Sequence, residues 1–433
     1  METVAYTTLC RAIDEQRHVF ISGVGGCGKS YLLKQLHKKY NQLYPDSCLL
    51  ASTTGISAYN LGGCTIHNWS KVVLPSSIPD VHKWIERKIK QIRSNYVLLK
   101  RYRKIRIIFL DEVSLLGANY MDALNYICQH VRQSNEPFGG IQLVLGGDFL
   151  QLQPIKDDFC FNSESWLQLN LLYVRLTKAY RFDHQDWVDL LQRARVGELN
   201  TKDVEMLQSR CNVQPASDAL PPIYLASKND VVDNINRSKL QQNNHETVIF
   251  VAQDYELIID EQACQQYKIP MEYKDEISNQ FIVDKVVYLK VGCEVMLLAN
   301  IDVENGLANG SRGIVCNIDQ EQNVHVMFDG NNLVTIQPMQ FMIDDVEHIY
   351  CRFAIPLRLA YATSIHKSQS LTLAQVQIDI GKDVFCEGQS YVALSRCKSL
   401  HGLYITSLSI DKIKPNFQAL RFEKKFLQQC IDV

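Results

Sequence analysis

The sequence predicts an α/β fold of doubly wound parallel sheets with a small β-rich insertion late in the chain. Three observations carry this: short apolar runs alternate with helically spaced segments through the first half, one such junction is glycine-rich, and residues 310–357 change to closely spaced short strands. The first run, His18 to Ser22, enters a glycine loop, and Leu32, Leu33, Leu36 and Tyr40 then recur at helical spacing. Cys48 to Ser52, Arg106 to Leu110 and Ile141 to Leu145 are further runs of a length and apolarity that suit buried parallel strands. In the insertion, Gly313-Ile-Val-Cys, the stretch from Asn323, Leu333-Val-Thr-Ile and Tyr350-Cys-Arg-Phe-Ala read as strands separated by hairpin signals.

At 433 residues the chain has room for about three domains or lobes. Hydrophobic residues make up 46% and charged residues 21%, which excludes a disordered tail and a collagen-like fibre. A formal charge of −2 argues against a protein that coats nucleic acid through bulk positive charge. The 14 cysteines include no CxxC pair and no Cys/His cluster, so free thiols in a reducing compartment are expected rather than a zinc ribbon or disulfide scaffold. The opening residues lack a basic region followed by an apolar one, and no apolar run approaches the ~18 residues of a membrane span. The expectation is an intracellular protein of the nucleus, the cytoplasm or a viral replication site.

Charge is unevenly placed. Lys83 to Arg106 holds ten Lys/Arg against the single acid Glu86, so the rest of the chain is net acidic, most visibly from Asp254 to Asp284. Ile85, Ile89, Ile92, Tyr96 and Leu99 make part of this basic segment an amphipathic helix with a cationic face. A solvated face is the simplest reading; the near-absence of acids favours phosphate contact.

Gly23-Val-Gly-Gly-Cys-Gly-Lys-Ser30 satisfies the phosphate-loop pattern, between a predicted strand and a predicted helix as that pattern requires. Glycines let backbone amides curl around a phosphate, Lys29 reaches the β- and γ-phosphates, and the Ser30 hydroxyl coordinates Mg²⁺. The expected ATP-binding set is Gly23, Gly25, Gly26, Cys27, Gly28, Lys29, Ser30 and Tyr31, with Cys27 a space-filler rather than a redox switch. Ile107-Ile-Phe-Leu-Asp111-Glu112 is an apolar strand ending in two carboxylates. After a phosphate loop, Asp111 suits a magnesium ligand and Glu112 a group that polarises the attacking water. Gly146-Gly-Asp148-Phe-Leu-Gln151 follows the next run, and Gln151 could hydrogen-bond both a γ-phosphate and that water.

Taken in order, these motifs resemble a superfamily 1 helicase of the Pif-one branch (petite integration frequency), related to RecD-like and phage Dda helicases. Besides Gly23–Ser30, the resemblance is carried by Thr53-Thr-Gly-Ile-Ser-Ala-Tyr-Asn-Leu-Gly-Gly-Cys-Thr-Ile-His-Asn-Trp69, Asp111-Glu-Val-Ser-Leu-Leu and Pro137-Phe-Gly-Gly-Ile-Gln-Leu143. It continues through Gly147-Asp-Phe-Leu-Gln-Leu-Gln-Pro-Ile155, Leu176-Thr-Lys-Ala-Tyr-Arg181, Leu307-Ala-Asn-Gly-Ser311, Ser364-Ile-His-Lys-Ser-Gln-Ser-Leu-Thr-Leu373 and Gly388-Gln-Ser-Tyr-Val-Ala-Leu-Ser-Arg396. The match covers about residues 18 to 408.

The resemblance implies a P-loop NTPase of two RecA-like domains, with ATP and Mg²⁺ in the cleft and single-stranded DNA crossing both. The first domain would be 1–175, with 70–105 a basic helical and wedge insertion. The second would be 176–305 and 356–433, interrupted by a Src-homology-like β-barrel at 306–355. Lys29, Glu112, Gln151, Arg181 and Arg396 would be catalytic, the two arginines reaching the γ-phosphate from the second domain. Ser30 and Asp111 would hold Mg²⁺. Thr53, Thr65, His67, Ser364 and His366 would face the DNA strand, with His67 and Trp69 stacking or wedging against bases, and Ser70 to Pro79 would separate strands. Three positions depart from the family pattern: Tyr6 lies near where a glutamine reads adenine, Gln153 replaces a proline, and Ser370 replaces a glycine. The implied activity is an ATP-dependent DNA helicase working at single-strand/duplex junctions as a monomeric motor, with 5′-to-3′ polarity resting on the family alone. The rivals are a DNA-stimulated translocase that displaces proteins with little unwinding, and a non-catalytic nucleic-acid-binding relic.

Overall fold

The computed structural model describes residues 4–433 except 73, 75–79, 216–219, 261–262, 268–277, 279, 303–304, 329–331, 345–348 and 370. The chain divides into two compact units, Met1–Glu198 with Lys414–Val433, and Leu199–Ile413.

The first unit is built on strands β1 (Val19–Gly23), β2 (Cys48–Ser52), β3 (Cys64–Thr65), β4 (Ile107–Asp111), β5 (Gln142–Gly146) and β6 (Leu172–Leu176). They form a wholly parallel sheet in the order β6-β1-β5-β4-β2-β3, with Ile431–Asp432 added beyond β6. Among the helices that accompany it are α1 (Val4–Asp14), α2 (Lys29–Leu43), α3 (Gly55–Leu61), α4 (Ile66–Ser70), α5 (Val81–Ser94), α6 (Tyr96–Lys104), α7 (Ala118–Arg132), α8 (Glu164–Gln168) and α9 (Gln185–Val196). Alternation along β1 sends Val19 and Ile21 into an aliphatic core with Leu9, Leu33, Leu36 and Val144. Phe20 points the other way, into an aromatic cluster with Phe149, Trp166, Phe422 and Phe426. The four apolar runs read from the sequence are thus β1, β2, β4 and β5.

The division between units differs from the expected break at 175/176. Segment 176–198 stays with the first unit because β6 pairs with β1 over five residues and the Tyr180 amide donates to the Gly26 carbonyl at 2.9 Å. The C-terminal helix Phe417–Leu427 returns to the same unit, because Phe422 and Phe426 complete the aromatic face of its sheet.

The second unit has a parallel sheet in the order Ala362–Ser364, Ile223–Ala226, Val376–Ile380, Leu403–Leu408. The inserted β-structure is wider than 306–355. Arg312–Ile318, Val324–Phe328 and Asn332–Ile336 combine with Glu294–Leu297 and Leu357–Leu359 in a five-stranded antiparallel sheet. Val248–Val251 and Val286–Leu289 form a ribbon that contributes Phe250, Val287 and Leu289 to the core of that sheet. Met339–Asp344 and Ile349–Ala354 instead join Gln253–Asp260 and Ala263–Tyr267 in a separate four-stranded sheet. One texture in the sequence therefore feeds two sheets, since hairpin signals specify neighbours but not the third strand each hairpin meets.

Candidate active site

In parallel α/β sheets ligands bind beyond the carboxyl ends of the strands. The first unit's candidate residues cluster there: β1 runs into the glycine loop, β4 ends at Asp111, β5 leads to Asp148 and Gln151, and β6 leads to Arg181.

The loop is shaped by its glycines. Gly26 and Gly28 have φ of 81° and 91°, and a Cβ on Gly26 would lie 2.4 Å from the Cβ of Arg181. Gly28 caps the 15-residue α2, whose first turn presents the backbone amides and partial positive charge that suit a phosphate. Lys29 Nζ donates to the carbonyls of Gly23 at 2.7 Å and Val24 at 3.1 Å, so the ammonium sits within the loop's curl. Cys27 is buried, its Sγ 3.6 Å from that ammonium, while Tyr31 is exposed on the helix.

Ser30 Oγ donates to Asp111 Oδ2 at 2.5 Å, and Asp111 Oδ1 accepts the Glu112 amide at 2.9 Å. Asp111 is 1% exposed. Burial, reinforced by the negative charge of Glu112, pushes its carboxyl up to about 7 against the opposing pull of the Ser30 hydroxyl and Lys29. A buried carboxylate facing a hydroxyl, beside a loop built for phosphate, is a donor set that fits a hard divalent cation carried in with a nucleoside triphosphate. Ser30 and Asp111 would hold Mg²⁺ there.

Glu112 has φ of 54°, a left-handed conformation costing about 1 kcal/mol or more for a residue with a side chain. Thr53 Oγ1 donates to its carbonyl at 2.8 Å and Ser52 Oγ to that of Asp111 at 3.3 Å. The Thr53 hydroxyl, expected on the DNA side, therefore braces the backbone of the acidic pair.

Gln151 is buried, and its Nε2 donates to Asp148 Oδ2 at 3.3 Å. The amide oxygen is thereby turned away from the carboxylate as an acceptor. Asp148 is 0% exposed and gripped by Arg195, whose Nη2 lies 2.8 Å from Oδ1, while Arg195 Nη1 donates to Glu423 of the C-terminal helix at 2.8 Å. Burial alone would raise the Asp148 carboxyl; the Arg195 charge and hydrogen bonds outweigh it and hold the group below its ordinary range. Sequence reasoning missed Arg195 and Glu423. The available signal was an arginine on the apolar stripe of α9, in step with Val188 and Leu191.

Two expected positions, Arg181 and Trp69, need correction. Arg181 belongs to the first unit and packs on Gly26, rather than arriving from the second. Trp69, expected to meet bases, is 4% exposed, its ring 4.9 Å from that of Tyr102. Thr65 Oγ1 caps α4 by accepting the Asn68 amide at 3.1 Å. The His67 ring lies 4.4 Å from that of Tyr120, and burial lowers its pKa, favouring the neutral ring. The wedge assigned to Ser70 to Pro79 falls mainly on 73 and 75–79, outside the described residues, as does Ser370. Gln153 Oε1 accepts from Asn416 Nδ2 at 3.2 Å, and Tyr6 packs against the aliphatic core.

In the second unit, Ser364 ends its strand of the parallel sheet and its Oγ accepts the Lys367 amide at 3.3 Å. His366 follows in the next turn, and burial lowers its pKa. Arg396 is 1% exposed, with Nε donating to the Val392 carbonyl at 2.9 Å and Nη2 to Ser395 Oγ at 2.7 Å.

A family model described as "PIF1-like helicase" matches residues 4–205, and one described as "DNA helicase Pif1, 2B domain" matches 272–318. The ATP-dependent DNA helicase PIF1 of Danio rerio is 32% identical over 98% of this chain and 64% of its own length. The human PIF1 helicase is 31% identical over 95% of this chain and 62% of its own. The chain belongs to the PIF1-like helicase family. Solved family structures agree in fold. A Pif1 helicase from Candida albicans superposes with a TM-score of 0.79 at 28% identity, covering 98% of this chain and 99% of that one. A Bacteroides Pif1 in complex with ADP-AlF4 gives 0.80 at 25% identity, covering 99% and 97%. The chain spans 46% of the length of a Trypanosoma brucei relative, "ATP-dependent DNA helicase PIF7", and under two thirds of the Danio and human ones.

Proposed function

We propose that this chain is an ATP-dependent DNA helicase motor that moves along single-stranded DNA and opens duplex at junctions. One observation carries the reading: Lys29, Ser30, Asp111 and Gln151 converge at adjacent strand ends of one parallel sheet, around a loop only glycine can form. In support, one related structure is described as a Bacteroides Pif1 bound to single-stranded DNA and another as the basis for DNA unwinding at forked duplex by two coordinating Pif1 helicases, and relatives are named ATP-dependent DNA helicases.

Lys29 exchanges its loop carbonyls for β- and γ-phosphate oxygens, a switch that costs little because both partners are acceptors. Bound Mg²⁺ supplies charge neutralisation at the phosphates. Glu112, held by Thr53, accepts the proton of the attacking water or orients it, and Gln151 presents its amide oxygen to that water and its second N–H to phosphate. Arg181, already packed on the loop, neutralises charge developing on the γ-phosphate, and Arg396 of the second unit adds to it once its side chain leaves its present partners. Thr53, Thr65, His67, Ser364 and His366 serve the nucleic-acid side through backbone and ring edges. The polarity is 5′-to-3′ and the working form a monomer in a reducing compartment, nucleus or cytoplasm.

Unwinding of 5′-tailed, 3′-tailed and forked duplexes with and without ATP and Mg²⁺ tests this. Preference for the 3′ tail overturns the polarity; ATP consumption without strand separation moves the reading to a protein-displacing translocase. Nucleotide turnover unchanged in Lys29→Ala removes the assigned site altogether.

A further inference from the structure

The basic segment resolves into two short helices with the same design. In α5, Ile85, Ile89 and Ile92 are buried while Lys83, Arg87 and Lys90 are exposed at i, i+4 and i+7. In α6, Leu98 and Tyr102 are buried while Tyr96, Lys100 and Arg103 are exposed at the same spacing. Asn95 ends the first helix and caps the second, and both helices pack against α7, so the two cationic stripes lie on the outer side of one layer. Not every cation there is available: Lys104 pairs with Asp46, Arg93 donates to the His130 carbonyl, and Arg106 lies over the Tyr44 ring. The side chains of Lys83, Arg87, Lys90, Lys100 and Arg103 have no partner among the described residues. Glu86 is the sole acid between Lys83 and Arg106, and Tyr96 stands 75% exposed among the cations.

This layer is fixed to the candidate DNA side. Tyr102 Oη donates to the Ser70 carbonyl at 2.7 Å, its ring packs on Trp69, and Arg101 donates to the Trp69 carbonyl at 3.4 Å. Trp69 and Ser70 belong to α4, the helix that also carries His67.

We propose that the outer face of α5 and α6 is a second nucleic-acid surface, holding the phosphate backbone of the duplex arm ahead of the single strand. Lys83 to Lys90 and Tyr96 to Arg103 each span about 10 Å at 1.5 Å per residue. That length suits two or three successive phosphates of one strand, and a duplex offers about one charge per 1.7 Å of axis, twice the density of a single strand. Cations spaced along a helix at the pitch of a strand's phosphates meet the backbone rather than one base pair, so the contact is independent of sequence and depends on salt. The inference rests on the proposed motor function and adds a duplex-holding site that the ATP chemistry does not need.

The test is equilibrium binding of a 5′-tailed duplex and of the tail alone, titrated from 50 to 200 mM salt. The wild type is compared with Lys83→Gln/Arg87→Gln/Lys90→Gln and with Lys83→Arg/Lys90→Arg. Three lost phosphate contacts lower the log–log salt slope by about 2.7, so the wild-type advantage on tailed duplex shrinks about 40-fold across that range. Binding of the tail alone and ATP hydrolysis stimulated by it stay at wild-type level, and the arginine variant keeps the wild-type slope. An unchanged slope on tailed duplex overturns the proposal. Equal loss on the tail alone also overturns it, making the face a single-strand site. A wild-type chain that binds no DNA fails the motor reading itself; a slope lowered only in the glutamine variant and only on tailed duplex supports both.

Discussion

Replacing Arg195 by methionine removes a guanidinium from between two buried carboxylates while keeping most of its apolar stem. Asp148 is then left fully buried without its ion-pair partner, with only the Lys29 charge and the Gln151 hydrogen bond to offset its burial. Breaking a buried pair by removing one partner costs about 3–5 kcal/mol, most of it the uncompensated charge. For a unit of about 200 residues this is a drop in melting temperature of roughly 6–20 °C, at 2–4 °C per kcal/mol. The pH dependence changes sign as well. In the wild type the Asp148 carboxyl sits below its unfolded value, so its contribution is present above that value and is lost as pH falls through the folded one. In the variant burial acts without Arg195 and raises the carboxyl, so the penalty is largest at neutral pH and shrinks as acid protonates the group. Urea denaturation of both chains at pH 7 and pH 5, followed by circular dichroism, reads this directly. Arg195→Met should lose most at pH 7, and adding Asp148→Asn should recover a large part. A loss under about 1 kcal/mol, or one that does not shrink at pH 5, refutes the charge argument.

His18 supplies a second pH effect: its Nδ1 accepts the Leu143 amide at 3.0 Å, and burial lowers its pKa to about 4. Stability from this group is complete above the unfolded value of 6.5 and falls by about 3 kcal/mol as pH drops towards 4, a slope that His18→Gln should remove in acid titrations. Trp69→Ala should cost about 3–5 kcal/mol of stability through the cavity it leaves against Tyr102, whereas Trp69→Phe, whose indole N–H has no partner to lose, should cost under about 1.5 kcal/mol and leave DNA affinity unchanged. Loss of DNA binding in a folded Trp69→Phe chain would restore the base-stacking role. Gly26→Ala places a Cβ 2.4 Å from Arg181 at a φ of 81°, so steady-state kinetics should show ATP turnover reduced at least tenfold.

What was legible in the sequence was local. The glycine loop, the acidic strand end and the four buried runs are contiguous strings whose chemistry is complete within a few residues, and each lies where its string implied. What was not legible depends on partners far along the chain. Arg195 stands on the apolar stripe of α9, but nothing near it in sequence names the partners, Asp148 and Glu423, that are brought to it from 47 residues before and 228 after. Trp69 reads as a base-stacking ring until α6 folds over it. Arg181 was placed in the wrong unit because the motif order does not reveal that β6 pairs with β1.

The same sheet explains why nucleotide and nucleic-acid motifs recur together in this chain. β2 and β4 are neighbours with Ser52 opposite Asp111, so residues one step beyond each strand, Thr53 and Glu112, meet without any intervening side chain. Glu112 holds an unfavourable backbone conformation, and the Thr53 hydroxyl is one of the bonds that keeps it there. On the proposed reading, a strand of DNA that draws on the loop after β2 would pull on the carbonyl of Glu112, the residue assigned to orient water. Thr53→Val, which keeps the shape and removes the donor, should lower the stimulation of ATP hydrolysis by single-stranded DNA more than it lowers DNA affinity. Equal losses in both would mean that Thr53 serves the strand directly and that the hydrogen bond to Glu112 couples nothing.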